Sequence, residues 1–272
     1  MNELPPGKSG RSALEVAITA AKEAGEILLA HFGATRRIKH KSKGNLVTDV
    51  DILSEELVLK LLKDEYPDYN VLSEESKFSS PIAGHTWIVD PLDGTNNYAY
   101  GIPFFCINIA LVVDKDILLG VTYDPVRGEL FQAQKGQGAC LNGSVICIPK
   151  VDTLQTSLVG LDLGYDEERG KEMLHIVNTL WGQVHCLRLL GSASLGLAYV
   201  ACGRISLYFH RYLFPWDLAS GLLLVTEAGG KVTDWQNRQA NLRTQEIIAA
   251  NRELHQGFMV HLRLEADAKV KK

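Results

Sequence analysis

Between Thr86 and Gln134 the chain is written in short apolar, β-branched runs, Trp87-Ile88-Val89, Cys106 to Val113 and Ile117 to Tyr123, separated by turn residues. Runs of this length and composition suit strands of a sheet with buried faces. Asp114-Lys115-Asp116 sits between two of them as a hairpin turn. Such a sheet has to be covered, and the preceding sequence supplies the cover. Ser12-Ala13-Leu14-Glu15 has the pattern of a capping box, and Leu14, Ile18, Ala21, Leu28 and Phe32 recur on one helical face until Gly33. A second helix is expected from near Thr48, with Asp51 at the reciprocal capping position, through Leu57, Val58, Leu61 and Leu62 to Tyr66-Pro67.

After Pro149 the texture alternates: a strand near Leu158, a helix from Lys171 to Trp181, a strand near Val184 and a helix from about Ser192. Strand Ile205 to Phe209, helix Trp216 to Ala228 and a last strand Ile247 to Ala250 follow. The expected organisation is a flexible N-terminus (1–11), an α+β half (12–148), an α/β half (149–265) and a flexible tail (266–272). The two halves share one cleft within one compact domain.

An apolar fraction of 46% over 272 residues suffices for a sizeable core. A net charge of -4 supplies no basic field to gather a nucleic-acid polymer. Cys106, Cys140, Cys147, Cys186 and Cys202 form no C-x-x-C pair and suit reduced thiols. The histidines show no H-E-x-x-H spacing, so any metal is expected on oxygen ligands. No segment has the pattern of a signal peptide or a membrane span, which leads to the expectation of a cytoplasmic protein without membrane attachment.

Chemistry concentrates in Ile88-Val89-Asp90-Pro91-Leu92-Asp93-Gly94-Thr95. Pro91 cannot donate to a strand ladder and Gly94 permits a sharp turn, so both acids are expected where an apolar strand ends. Bare carboxylates repel a phosphate monoester unless divalent cations intervene. Magnesium fits best, because it prefers hard oxygen ligands and is shared between carboxylates and phosphate; the Leu92 carbonyl is one further donor. Gly94 and Thr95 offer backbone N–H groups to phosphate oxygens. Taken alone, the motif is equally a turn whose acids cap backbone groups. Glu74 in Leu72-Ser73-Glu74-Glu75-Ser76 reads alone as a solvated loop acid, and Asp217 in Pro215-Trp216-Asp217 as compensation of a helix dipole.

These pieces combine in one known pattern. Asp90 to Thr95 together with Trp216-Asp217-x-Ala-x-Gly-x5-Glu-Ala-Gly-Gly resembles the inositol monophosphatase family of the fructose-bisphosphatase-like superfamily. Lys41, Leu46-Val47-Thr48-Asp49-Val50-Asp51, Glu74-Glu75-Ser76 and Gly136-Gln137-Gly138-Ala139 followed by Asn142-Gly143 match in the same order, over roughly residues 12 to 255. The resemblance implies a layered αβαβα sandwich, usually a homodimer, and lithium-sensitive, magnesium-assisted hydrolysis of a small phosphate monoester with two to three ions per site. It assigns Glu74, Asp90 and the Leu92 carbonyl to one metal and Asp90, Asp93 and Asp217 to a second, with a weaker third ion involving Glu74. Phosphate falls to Asp93, Gly94 and Thr95, and catalysis to Thr95 with Asp51 and Glu74, which activate a water for direct attack. Lys41 adds positive charge from a loop, and Ser192 and Ala193 border the substrate.

One departure bears on specificity. Relatives that prefer inositol commonly carry Glu seven residues before the Asp of the Trp-Asp motif, where this chain has His210. Inositol monophosphate remains the first expectation. Fructose 1,6-bisphosphate, histidinol phosphate, NADP and 3'-phosphoadenosine 5'-phosphate are alternatives, with Arg188, Arg204 or Arg211 as contacts for a second phosphate. An aspartyl-phosphate enzyme is disfavoured by the two-residue gap between Asp90 and Asp93. From another class, a ligand sensor or regulatory binding protein on this fold is the alternative.

Overall fold

The computed structural model describes residues 4–33, 38–42, 45–76, 82–151 and 153–270. Helix α1 (Ala13–His31) opens with the expected capping box: Glu15 N donates to Ser12 Oγ, and Ser12 N donates to Glu15 Oε2. Strands β1 (Ile38–Ser42) and β2 (Asn45–Thr48) form an antiparallel hairpin that the sequence pattern did not announce. Helix α2 (Asp49–Glu65) starts at Thr48, with Asp51 closing its capping box as expected.

A seven-stranded sheet follows, built from β3 (Asn70–Ser73), β4 (His85–Asp93), β5 (Cys106–Val113), β6 (Asp116–Asp124), β7 (Glu129–Gln134), β8 (Ala139–Leu141) and β9 (Ser144–Ile146) in that order. All its pairs are antiparallel except β3–β4. A short helix α3 (Thr95–Ala99) lies between β4 and β5. The rest of the chain makes β10 (Leu158–Leu161), α4 (Glu167–Leu180), β11 (Cys186–Leu189), α5 (Ala193–Ala201), β12 (Leu207–His210), α6 (Pro215–Glu227), β13 (Lys231–Thr233), β14 (Ile247–Ala250) and α7 (Arg252–Val270). Its strands form a second, five-stranded sheet of order β11-β10-β12-β14-β13.

The layers follow from the period-two alternation of the strands. Trp87, Val89, Ile107, Ile109 and Leu111 face α1 and α2, while Ile88, Ala110 and Val112 face the opposite side, toward α6. Helices α5 and α6 fill the space between the sheets, and α4 and α7 cover the outer face of the second sheet through Met173, Leu180, Leu254 and Phe258. The result is the αβαβα sandwich.

Several local expectations are corrected. Of the expected face of α1, Ala21 and Leu28 are fully buried, together with Ala17, Ala20 and Ala24, whereas Leu14, Ile18 and Phe32 sit at its margin. The helix lies so close to the sheet that a Cβ on Gly25 would come 2.6 Å from the Tyr123 ring. Residues 4–11, read as part of a flexible N-terminus, are tied to the end of α2: Ser9 N donates to Glu65 Oε2 at 2.9 Å, and Arg11 pairs with Glu65 at 2.7 Å. Residues 1–3, 271 and 272 lie outside the described residues. Helix α7 was missed, and it carries the backbone of the expected flexible tail to Val270.

The Gly136-Gln137-Gly138 turn is structural: both glycine amides donate to the Glu227 carboxylate, at 2.7 and 2.9 Å, tying the first sheet to the end of α6. These layers cross closely at Gly120 of β6, where an added Cβ would stand 2.8 Å from Ser220 Cα. The neighbour is backbone and cannot rotate away. Gly120→Val is therefore expected to destabilise the fold by about 1–3 kcal/mol, read as a lowered urea midpoint; an unchanged midpoint would mean that α6 is free to shift.

Candidate active site

Two acids three residues apart on a regular strand point to opposite faces. Here they do not, because β4 carries a bulge. Asp90 pairs with Asn108 and Asp93 with Cys106, so three steps on β4 match two on β5. Asn108 and Cys106 share a face, and the bulge places Asp90 and Asp93 on that same face, toward α5 and α6. Pro91 sits inside the bulge, where its missing N–H costs no ladder bond, and its carbonyl accepts from Ser54 Oγ of α2 at 2.8 Å.

Asp217 reaches the same point from the other layer. It stands in the first turn of α6, where its Oδ2 accepts from Phe214 N at 2.7 Å. Oxygens of Asp90, Asp93 and Asp217 lie within 4.8 Å of one another. Glu74, just beyond β3, joins them in lining a cleft of about 230 Å³ that also includes Leu92, Gly94, Thr95, Ser192, Ala193 and His210. The cleft opens at the C-terminal ends of β10 and β12, a usual position for ligands in sheets with parallel strands.

The electrostatics are those of a site that favours a cation. Burial first, then the charges of Glu74, Asp93 and Asp217, pushes the Asp90 carboxyl well above the usual carboxylate range. Asp90 is 1% exposed; its Oδ1 accepts from Leu92 N at 3.0 Å, while its Oδ2 has no hydrogen-bond partner among the described residues. A buried carboxylate oxygen left without a donor is costly unless a cation meets it. Burial also raises Asp93, opposed by Ser192 Oγ and Ser194 N, which donate to Asp93 Oδ2 at 2.6 and 2.8 Å. An all-oxygen donor set with one orphaned atom fits a hard divalent ion.

Asp51 and Thr95 meet at the floor. The Thr95 hydroxyl lies 3.2 Å from Asp51 Oδ1 and 2.9 Å from the Leu92 carbonyl, and Thr48 N donates to Asp51 Oδ2 at 2.8 Å. Gly94 adopts φ 91°, and a Cβ there would press on Phe104 O at 2.9 Å, so the turn that presents Thr95 admits only glycine comfortably.

Ser192 and Ala193, expected to border substrate, both line the cleft, and the Ser192 hydroxyl donates to Asp93. His210 lines the cleft with Nδ1 accepting from Tyr212 N at 2.9 Å, which leaves the proton on Nε2. Lys41 lies in β1, and its side chain is outside the described residues. Arg204 and Arg211 do not serve the cleft: the first pairs with Glu129, the second with Glu172 and Glu246. Arg188 is an exposed residue of β11, also off the cleft wall. Sequence reasoning missed Asp162, which follows β10 and accepts from Leu190 N, Gly191 N and Tyr208 Oη at 2.9, 2.6 and 2.7 Å. Nothing in the local sequence around it distinguishes it from a loop acid.

A profile described as the inositol monophosphatase family matches residues 10–266. The chain belongs to the inositol monophosphatase family. It is 38% identical to inositol monophosphatase 1 of Solanum lycopersicum over 92% of this chain and 94% of that one. It is 39% identical to the Nus factor SuhB of Xylella fastidiosa over 85% and 84%. The solved structure of the extragenic suppressor protein SuhB from Bartonella henselae superposes with a TM-score of 0.87 at 32% identity, covering 92% of this chain and 97% of that one. The family places the chain among phosphoric monoester hydrolases, and the shared fold is the layered sandwich described above. No helix among the described residues is long and apolar enough to cross a membrane.

Burial holds the His210 ring down to about 3, below the ordinary value of ~6.5. A depressed histidine favours the neutral form in the fold, so its contribution to stability is present above about 6.5 and is lost as pH falls toward 3. Nitrogen-detected NMR should find a neutral Nε2–H ring at pH 5; protonation near pH 6.5 would contradict this environment.

Proposed function

We propose that this chain hydrolyses a small phosphate monoester with magnesium, inositol monophosphate being the first candidate, by direct attack of water on phosphorus. The observation that carries the reading is the convergence of Asp90, Asp93 and Asp217, with Asp90 Oδ2 orphaned, beside the Gly94–Thr95 turn. Glu74, Asp90 and the Leu92 carbonyl would hold one ion, Asp90, Asp93 and Asp217 a second, and Glu74 would contribute to a weaker third. Magnesium supplies charge neutralisation of the phosphate and lowers the pKa of water.

The protein's own groups do the rest. The N–H groups of Gly94 and Thr95 hold phosphate oxygens and orient the ester for in-line displacement. Glu74 and Thr95 position the attacking water, which donates to Thr95 Oγ1 while that hydroxyl donates to Asp51 Oδ1, 3.2 Å away. The Thr95 hydroxyl has a single proton, for which Leu92 O, at 2.9 Å, is a second acceptor. Asp51 keeps its orientation through Thr48 N. The leaving alkoxide departs on the far side, toward the wall of Tyr212 and His210, and takes a proton from solvent.

His210 offers an N–H where a carboxylate would offer only acceptors, which keeps the alternative phosphate esters in view. Lithium inhibition and a homodimer complete the reading. Tyr100, Ile102 and Leu189 of the edge strand β11 are exposed apolar residues available to a second copy. A cytoplasmic location accompanies it. The Nus factor name of a 39% identical relative favours a regulatory partner as a second reading, compatible with catalysis.

Phosphate release from inositol 1-phosphate, fructose 1,6-bisphosphate, histidinol phosphate, NADP and 3'-phosphoadenosine 5'-phosphate, with magnesium and with added lithium, tests both the class and the substrate. Turnover of inositol 1-phosphate is expected to be fastest and to fall on the order of a hundredfold or more in Asp93→Asn. No turnover of any ester in the panel would leave the regulatory reading; a phosphoenzyme trapped by acid would overturn direct attack by water.

A further inference from the structure

Asp162 is a carboxylate on the cleft wall that the proposed chemistry does not use. Both its oxygens are engaged by protein donors: Oδ1 accepts from the amides of Leu190 and Gly191, and Oδ2 from the Tyr208 hydroxyl. It is therefore placed to hold a strap rather than a ligand. The strap, Leu190 to Ser192, is clamped on its other side by Asn97, whose Nδ2 donates to Leu190 O at 2.9 Å. Gly191 turns there at φ 76°, and a Cβ would stand 2.7 Å from Asn97 Nδ2. Immediately after this turn, Ser192 Oγ and Ser194 N reach Asp93 Oδ2.

We infer that Asp162 is a positioning residue for the metal site: by tethering the Leu190–Gly191 turn it delivers Ser192 and Ser194 onto Asp93, and so aims that carboxylate at the cation. The inference rests on the metal reading of the cleft. Two donors on one Asp93 oxygen fix the rotation of the carboxylate and leave its other oxygen for a ligand. Burial pushes Asp162 up to about 7 despite its donors. A proton on Oδ2 would reverse the Tyr208 bond without disturbing Oδ1, so the tether requires an acceptor at Oδ1 and not a charge. Asparagine meets that requirement, with its Nδ2 donating to the Tyr208 oxygen.

The test is direct Mn²⁺ binding to the full chain by calorimetry, alongside magnesium activation of phosphate release. Asp162→Ala is expected to weaken Mn²⁺ binding about tenfold, with turnover at saturating metal within about threefold of wild type. Asp162→Asn should restore binding to within about threefold, and Asp162→Ala combined with Ser192→Ala should bind no worse than about threefold below the weaker single variant, because both act on one contact. Wild-type binding by Asp162→Ala, failure of Asp162→Asn to rescue, or multiplicative losses in the double variant would each overturn the inference. If Asp162→Ala does not fold, hydrogen exchange of the wild type decides: coupling is reciprocal, so Mn²⁺ should slow exchange at Leu190, Gly191 and Ser194, and unchanged rates there would overturn it. Absence of any Mn²⁺ binding by wild type would instead remove the metal reading itself.

Discussion

Everything at this site depends on holding like charges together in a place poor in water. Two carboxylates about 4 Å apart repel by roughly 4 kcal/mol at an effective dielectric constant of 20. Asp90, Asp93 and Asp217 nonetheless converge, with Glu74 adding to the field on Asp90. Serine and backbone donors relieve Asp93, and Phe214 N relieves Asp217, but one oxygen of Asp90 is left without a donor. Hydrogen bonds alone do not balance the cluster; a divalent ion, as proposed, would. On the proposed reading, the repulsion among these carboxylates is what gives the cluster its affinity for metal.

The rest of the fold holds that cluster rigidly. The β4 bulge turns two acids to one face, α6 starts where its first-turn Asp meets them, and a buried polar seam locks the layers: Thr122 Oγ1 donates to Asn108 Oδ1 at 2.7 Å and Asn108 bonds Ser194. Ser194 in turn donates to the Asp217 carbonyl at 3.1 Å. The three converging aspartates therefore come from two elements, β4 and α6, and β4 is packed by apolar residues on both of its faces. Ligand sites built on strands and helix ends in this way stay within the tolerance that phosphoryl chemistry demands.

What could be read beforehand divides along physical lines. Capping boxes at Ser12 and Thr48 are local, and local pattern specified them. The alternation of β4 to β6 announced a buried sheet because its period is two. Asp90, Asp93 and Asp217 were named as ligands from motif resemblance, yet why residues three apart share a face was hidden, since a bulge is fixed by pairing with β5 and not by composition. Asp162 stayed invisible because its partners, Leu190, Gly191 and Tyr208, are distant in sequence. Helix α7 escaped because Arg252 to Val270 mixes charge and apolar residues without a clear stop. Arg204 and Arg211 drew attention by charge alone, and carboxylates elsewhere claim them.

The most direct test of the central claim is anomalous diffraction from crystals grown with Mn²⁺ in place of magnesium. The account predicts strong anomalous peaks flanking Asp90, one toward Glu74 and the Leu92 carbonyl and one between Asp93 and Asp217, with Asp90 Oδ2 in contact. Well-ordered carboxylates with no anomalous density at millimolar Mn²⁺ would contradict it.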